Sequence, residues 1–331
     1  GKKNQFVTVC DDMLKSIANT YALDDFQLPE WNIPELYPWS DWTFAINQIV
    51  SNCFNFCFNL FDTPDAKYQV FNFHNPSEPW RGAFAMQRKI YQYFHERIIH
   101  AQDFAPHVKS AEAMQHFFAD LTQIPFPELR YECGRDFVSS LEEIYDGNPM
   151  NLLESAIRGD GHTRTFRAFD QGEGLIDLLT KDFSCAYGED IQKFEGELLR
   201  FNKRPQLVAL LLHGRASRQG SALPIFSDIE EIGAIADYEV PRGFRAAGIL
   251  TYSPELAFFV NNWKPLEEGS AMEVEIRMAT VFACYRMLLA INQVREEHHT
   301  LPIHMGHLDY WLWYWGRKAP GRPHLVRTSA Y

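Results

Sequence analysis

Between Ala271 and Val294 apolar residues return at steps of three and four, at Val274, Met278, Val281, Phe282, Tyr285, Leu288 and Leu289, while Glu273, Glu275, Arg277 and Arg286 take other positions. That spacing is the period of an α-helix and predicts one long helix here. Shorter stretches with the same period predict helices over 81–99, 110–121, 129–145, 175–182, 203–213, 242–250 and 307–315. The alternation that marks strands is confined to NCFNFCFN at 52–59 and YQVFNF at 68–73, with Asp62, Pro64 and Asp65 as a turn between them. The chain is therefore expected to be mainly α, with a small β element in its N-terminal third.

Segments rich in proline and aromatics, LPEWNIPELYPWSDW at 28–42 and IPFPEL at 124–129, read as ordered irregular connections packed on the core. The polar, glycine-rich stretch from Arg158 to Gly174 is the candidate mobile loop or lid. No internal repeat or low-complexity segment interrupts the chain. It reads as a single catalytic-size domain over 1–331, with room for an N-terminal lobe, 1–122, packed on a helical lobe, 123–331.

Composition narrows the class. With 46% hydrophobic residues and 15% aromatics but no apolar run long enough to cross a bilayer, the expectation is a soluble protein with a large aromatic-rich core and no membrane partner. The N-terminus has no signal-peptide pattern, which makes a cytoplasmic location the expectation. Cys10, Cys53, Cys57, Cys133, Cys185 and Cys284 are scattered, without paired CxxC spacing, and read as reduced, mostly buried thiols. The formal charge of −12 speaks against a nucleic-acid polymer as partner, because such binders neutralise phosphates with lysine and arginine. A small molecule is the easier fit, and a local basic pocket for one phosphate would not show in the net charge.

Candidate chemistry concentrates in a few places. Asp237 closes an apolar run and is followed by Tyr238 and Pro241; a carboxylate there either sits in a dry pocket beside a cationic intermediate or caps a helix starting near Val240 or Pro241. Lys203 and Arg204 open an apolar helix with Pro205 in its first turn, which reads as a phosphate seat or as a solvated pair at a helix end. In NFCF, Asn55 and Cys57 alternate with Phe56 and Phe58, as in a core strand that could offer the amide on one face. Asp309 stands among Tyr310, Trp311, Trp313, Tyr314 and Trp315, either satisfied by a ring donor or aimed at a ligand stacked between rings. His298, His299, His304 and His307 cluster, but with no HExxH and no carboxylate at ligand spacing they predict no metal site. GxSxG, P-loop and GxGxxG motifs are missing, and no cofactor is implied.

ADYEVP with Asp237, the preceding FSDIEEI, EVEIR at 273–277, FNKRPQLV at 201–208, NFCF at 55–58, LDYWLW at 308–313 and the final Tyr331 occur in the order found in the queuosine salvage proteins, which the chain resembles from about Trp39 to Tyr331. Those are queuosine 5′-phosphate N-glycosidases that release queuine. The resemblance implies an all-helical core akin to DNA glycosylases, and a monomeric, metal-free enzyme for a modified nucleoside monophosphate. Carried over by position, it makes Asp237 the catalytic carboxylate, Asp309 the base-recognition carboxylate and Lys203 the phosphate contact. Arg204 would assist at the phosphate, and Asn55, Phe56, Phe58, Tyr238 and Trp311 would complete the substrate site. The chain departs from the family pattern at Glu239 where ADYR is usual, at Val240, Pro241 and Arg242 where LPQ is usual, and at Tyr314, where an aspartate often follows LDYWLW.

The implied reaction suits these residues. Cleaving an N-ribosidic bond builds positive charge on the sugar, which a buried carboxylate near the anomeric carbon offsets while it orients the attacking water. Two rival classes are a DNA base glycosylase, against which the acidic balance argues, and a non-catalytic binder of a modified base or nucleotide, which would not need Asp237.

Overall fold

The computed structural model describes residues 5–188 and 190–331; residues 1–4 and 189 lie outside that description. Thirteen α-helices dominate the described chain: α1 (Asp11–Tyr21), α2 (Asp41–Asn52), α3 (Ala83–Phe94), α4 (Ala101–Phe104), α5 (Ala111–Phe118), α6 (Pro127–Tyr145), α7 (Pro149–Ser155), α8 (Leu175–Asp182), α9 (Lys203–Ala216), α10 (Glu239–Ala246), α11 (Pro254–Asn261), α12 (Ala271–Glu297) and α13 (Met305–Lys318). Eight short strands form four antiparallel pairs: β1 (Val7–Val9) with β8 (Leu250–Tyr252), β2 (Gln69–Val70) with β3 (Trp80–Arg81), β4 (Ile157–Arg158) with β5 (Thr165–Phe166), and β6 (Ile191–Phe194) with β7 (Glu197–Arg200). The fold is mainly α, as the periodicity predicts. None of the described helices is long and apolar enough to cross a membrane.

The predicted strand over 52–59 is not formed. Ser40 caps α2 through its side chain, and the helix runs as far as Asn52. Beyond it the chain turns at once, with Phe54 N–H donating to Ser51 O, Asn55 N–H to Asn52 O, and Cys57 in the left-handed region at φ 40°. The apparent alternation of NFCF is thus a product of successive tight turns, and only Asn59 forms an isolated bridge, to Lys67. The second strand signal shrinks to Gln69–Val70.

The expected lid over 158–174 is tied down instead. The buried Asp228 carboxylate accepts the amides of Ala168 and Phe169, Asp177 accepts those of Asp170, Gly172 and Gly174, and Arg158 pairs with Asp170 at 2.7 Å. The close approach at Gly174, where a Cβ would lie 2.4 Å from Ala168 O, leaves no room for a side chain.

Two large apolar clusters make up most of the core, beside a small third one of Leu36, Tyr37 and Phe44. The larger draws on residues from Ala45 to Ile235, on both sides of position 122; the smaller joins residues 7–26 to residues 234–331. The long helix α12 crosses the smaller cluster with Ile276, Ala279, Ala283, Met287 and Ile291 inward. Phe282, Tyr285 and Leu289, which the spacing groups with the apolar face, are 44–68% exposed, whereas Glu273, Glu275 and Arg277 are buried. The Glu275 carboxylate accepts the amides of Gln5, Phe6 and Val7, fixing β1 on α12. Arg277 is clasped by Asp190 and lies between the rings of Phe201 and Tyr331. Buried charge is tolerated here because Arg277 is ion-paired with Asp190 and Glu273, and Glu275 is hydrogen-bonded by three amides.

Candidate active site

A cavity of about 480 Å³ opens where the two clusters meet, with Phe56 and Phe58 of the larger and Val240 of the smaller in its wall. Its size suits a mononucleotide-sized ligand. The turn after α2 supplies Asn55, Phe56 and Phe58, the first residue of α9 supplies Lys203, the segment entering α10 supplies Asp237 and Tyr238, and α13 supplies Asp309.

Asp237 fulfils both readings of its sequence position. Its Oδ1 accepts the amides of Glu239 at 2.8 Å and Val240 at 3.0 Å, capping α10, and the same carboxylate lines the cavity at 7% exposure. Burial, together with the neighbouring Glu239, raises its pKa against the opposing pull of Lys203 and the two amides. Asp309 takes the Ile235 amide on Oδ1 at 3.0 Å, and burial pushes its carboxyl up to about 8. Lys203 is also buried, donates to Asn55 O at 3.1 Å, and is pushed down to about 8 by the same loss of solvent. Two carboxyls and one amine thus share a water-poor wall, in which Lys203 pulls both carboxyls down and they in turn hold Lys203 up.

Aromatic rings flank these groups. Phe56 is backed by two guanidinium groups, Arg130 at 4.3 Å and Arg204 at 5.3 Å from its centroid. In the same lining Tyr310 and Trp313 stack at 6.1 Å, with Trp31 edge-on to Tyr310 at 5.6 Å. The rim carries Lys67, Arg81, Arg242 and Arg317. Glu239 answers two of them, bonded to Lys67 and 3.3 Å from Arg242 Nη1.

The queuosine salvage protein family model matches residues 38–329. The chain belongs to the queuosine salvage protein family. Proteins named queuosine 5′-phosphate N-glycosylase/hydrolase are similar to it along much of their length. That of Sphaerobacter thermophilus is 28% identical over 99% of this chain and 94% of its own. Those of Dictyostelium discoideum, 28% identical over 80% of this chain and 70% of its own, and Bos taurus, 27% identical over 62% and 57%, match shorter spans.

This queuosine salvage family member brings Asp237, Asp309, Lys203, Asn55, Phe56, Phe58 and Tyr238 to one cavity, and leaves Arg204 and Trp311 outside its lining. Arg204 is not a solvated helix-end cation: it is buried, and its guanidinium is spent on the carbonyls of Cys53 at 2.7 Å and Cys185 at 3.2 Å. Trp311 turns to the smaller cluster, against Tyr21 and Phe26. Helical spacing accounts for this, since Trp313 lies four residues from Asp309 on the same face while Trp311, two residues on, points away. The same spacing was the available signal for Trp313. Tyr331 also reaches the cavity, with its hydroxyl donating to Glu273 Oε1 at 2.9 Å. EVEIR thus serves as the seat of the tail. The rings of His304 and His307 lie 3.8 Å apart, but each Nδ1 accepts a backbone amide. No group of three or more His, Cys, Asp or Glu among the described residues is arranged to hold a metal.

Proposed function

We propose that this chain hydrolyses the N-ribosidic bond of queuosine 5′-monophosphate, giving queuine and ribose 5-phosphate. The observation that carries this reading is a buried aspartate, Asp237, whose carboxylate lines a nucleotide-sized cavity with one oxygen locked by two amides, in a chain whose relatives bear that activity in their name. As the bond lengthens, positive charge grows on the ribose, and Asp237 stabilises it while holding the water that attacks C1′. A carboxylate fixed in advance pays no reorganisation during the reaction.

The departing base is a 7-deazaguanine and has carbon in place of N7, so protonation at that edge is closed. Asp309 is the group we assign to the base. With its carboxyl pushed up to about 8 it is neutral at pH 7, and can donate as well as accept a hydrogen bond at the ring edge. Tyr238 and the rings of Phe56 and Phe58 bound the base plane, and stacking of this kind contributes about 1–3 kcal/mol per base. Lys203 keeps donors beyond the one given to Asn55 O, and we assign it to the 5′-phosphate without Arg204. Binding energy collected there positions the reacting bond.

The enzyme in this reading is a cytoplasmic monomer that needs no cofactor and acts on the free nucleotide, and the net charge of −12 supports a substrate other than a nucleic-acid polymer. The test is incubation of the pure protein with queuosine 5′-monophosphate followed by chromatography. Release of queuine is expected; no base at high enzyme concentration refutes the proposal, and tight binding without turnover assigns the chain a binding role.

A further inference from the structure

All six cysteines are free thiols, and two of them meet. Cys133 on α6 and Cys185, three residues beyond α8, hold their sulfurs 3.6 Å apart. Cys133 is fully buried, while Cys185 is partly open to solvent. The loop that carries Cys185 is pinned to α6 by Asp136, whose carboxylate accepts the Cys185 amide at 3.0 Å and the Ala186 amide at 2.9 Å. Arg204 completes the group: its Nη1 lies 4.0 Å from Cys133 Sγ and its Nη2 donates to Cys185 O at 3.2 Å.

We propose that Cys133 and Cys185 form an oxidisable dithiol that closes to an intramolecular disulfide, and that closure is felt at the cavity through Arg204 and Phe56. A disulfide needs its sulfurs at about 2.05 Å, so the pair must approach by roughly 1.5 Å, a shift within reach of a loop residue. The redox balance closes with a hydroperoxide as oxidant. The bond to Cys133 and burial hold the Cys185 proton in place, so the step begins with transfer of that proton to the Cys133 sulfur; the open Cys185 thiolate then takes one peroxide oxygen as a sulfenic acid, and the other leaves as water. The Cys133 sulfur then attacks the sulfenic sulfur and expels a second water, so that two thiols have given two electrons. Hydrogen bonding from Cys185, with Arg204 and Arg130 nearby, holds the Cys133 thiol below its ordinary range, which readies it for the second step.

The effect on the cavity follows from the position of Arg204. It backs the Phe56 ring and directly follows Lys203 at the start of α9. Closing the disulfide removes the thiolate beside its guanidinium and draws on the Cys185 carbonyl that it holds. The wall at Phe56 shifts, while the amide cap of Asp237 stays intact.

The test uses the full chain with hydrogen peroxide and non-reducing peptide mapping. The expected product is a Cys133–Cys185 cross-link, two hydrogens lighter than the reduced protein, absent from Cys185→Ser and reversed by a dithiol reductant. Oxidation of Cys185 to sulfinic acid with no cross-link overturns the proposal, whatever the enzyme's activity. The kinetic part rests on the proposed hydrolysis: KM for the nucleotide should rise severalfold in the cross-linked protein with kcat nearly kept. An unchanged KM, in protein shown by mass to be cross-linked, overturns the link to Phe56.

Discussion

Gly243 of α10 and Gly316 of α13 meet backbone to backbone: a Cβ on Gly243 would lie 3.0 Å from Gly316 Cα, and one on Gly316 would lie 2.3 Å from Glu239 O. The two helices can therefore cross at a distance that no larger residue permits. That crossing sets the spacing of the site, because Asp237 caps α10 and Asp309 rides on α13. Gly316→Ala should destabilise the fold by about 1–3 kcal/mol through overpacking and lower kcat as the carboxyls are spread. Thermal denaturation and turnover of the same preparation check both effects, and an alanine variant with parental values for each would refute this account.

Asp237→Asn keeps an oxygen for the amides of Glu239 and Val240, so the cap survives. The variant should melt close to the parent yet turn over on the order of a hundredfold or more slowly, as expected when a preorganised charge is removed. A near-parental kcat would move the catalytic role to another group.

Asp309 should make stability depend on pH. Its carboxyl titrates near 8 when folded, against about 3.9 in an unfolded chain, so the folded state keeps a proton that the unfolded state gives up. The stability this group contributes is full below about pH 4 and is lost as pH rises through the folded value. Asp309→Asn carries no such loss and should gain on the parent by on the order of 4 kcal/mol between pH 4 and pH 7.5 while losing activity. Denaturant melts of both proteins at the two pH values measure it; a difference that does not change with pH would contradict the assignment.

Lys203→Ala should lower kcat/KM on the 5′-monophosphate more than on the free nucleoside. The comparison is internal to one variant, so general damage to the site cancels. Equal losses on both substrates reject the phosphate role.

Arg277→Met leaves Asp190 and Glu273 buried without their cation, a change that typically costs about 3–5 kcal/mol. It also unseats Tyr331 from the cavity wall. Loss of stability with an unchanged KM would separate the tail from the site.

What the sequence discloses depends on whether a helix has a polar side. The helix over 175–182 is read with its observed ends, since Leu175, Ile176, Leu178 and Leu179 are buried against polar neighbours. In α2 every residue except Trp42 is buried, so no stripe of one period survives to betray a helix, and the only pattern legible nearby is the strand-like alternation that starts at its last residue, Asn52. Lys203 and Arg204 are legible as a pair but not as a division of labour, because only packing decides that one lines the cavity and the other binds carbonyls. The rings at Trp31 and Tyr331 come from segments with no period at all, and their places depend on partners far along the chain. Asp237, by contrast, stands out locally because a capping signal and a chemical one coincide there.

The amide of Val7 finds its acceptor, Glu275, 268 residues downstream. During synthesis β1 thus emerges long before β8 and α12 and waits, unpaired, while the larger cluster from Ala45 to Ile235 already has all its members. The smaller cluster can close only after α12 and α13 leave the ribosome, so the cavity wall is completed later than the larger cluster, and an exposed strand must be kept from wrong partners until then.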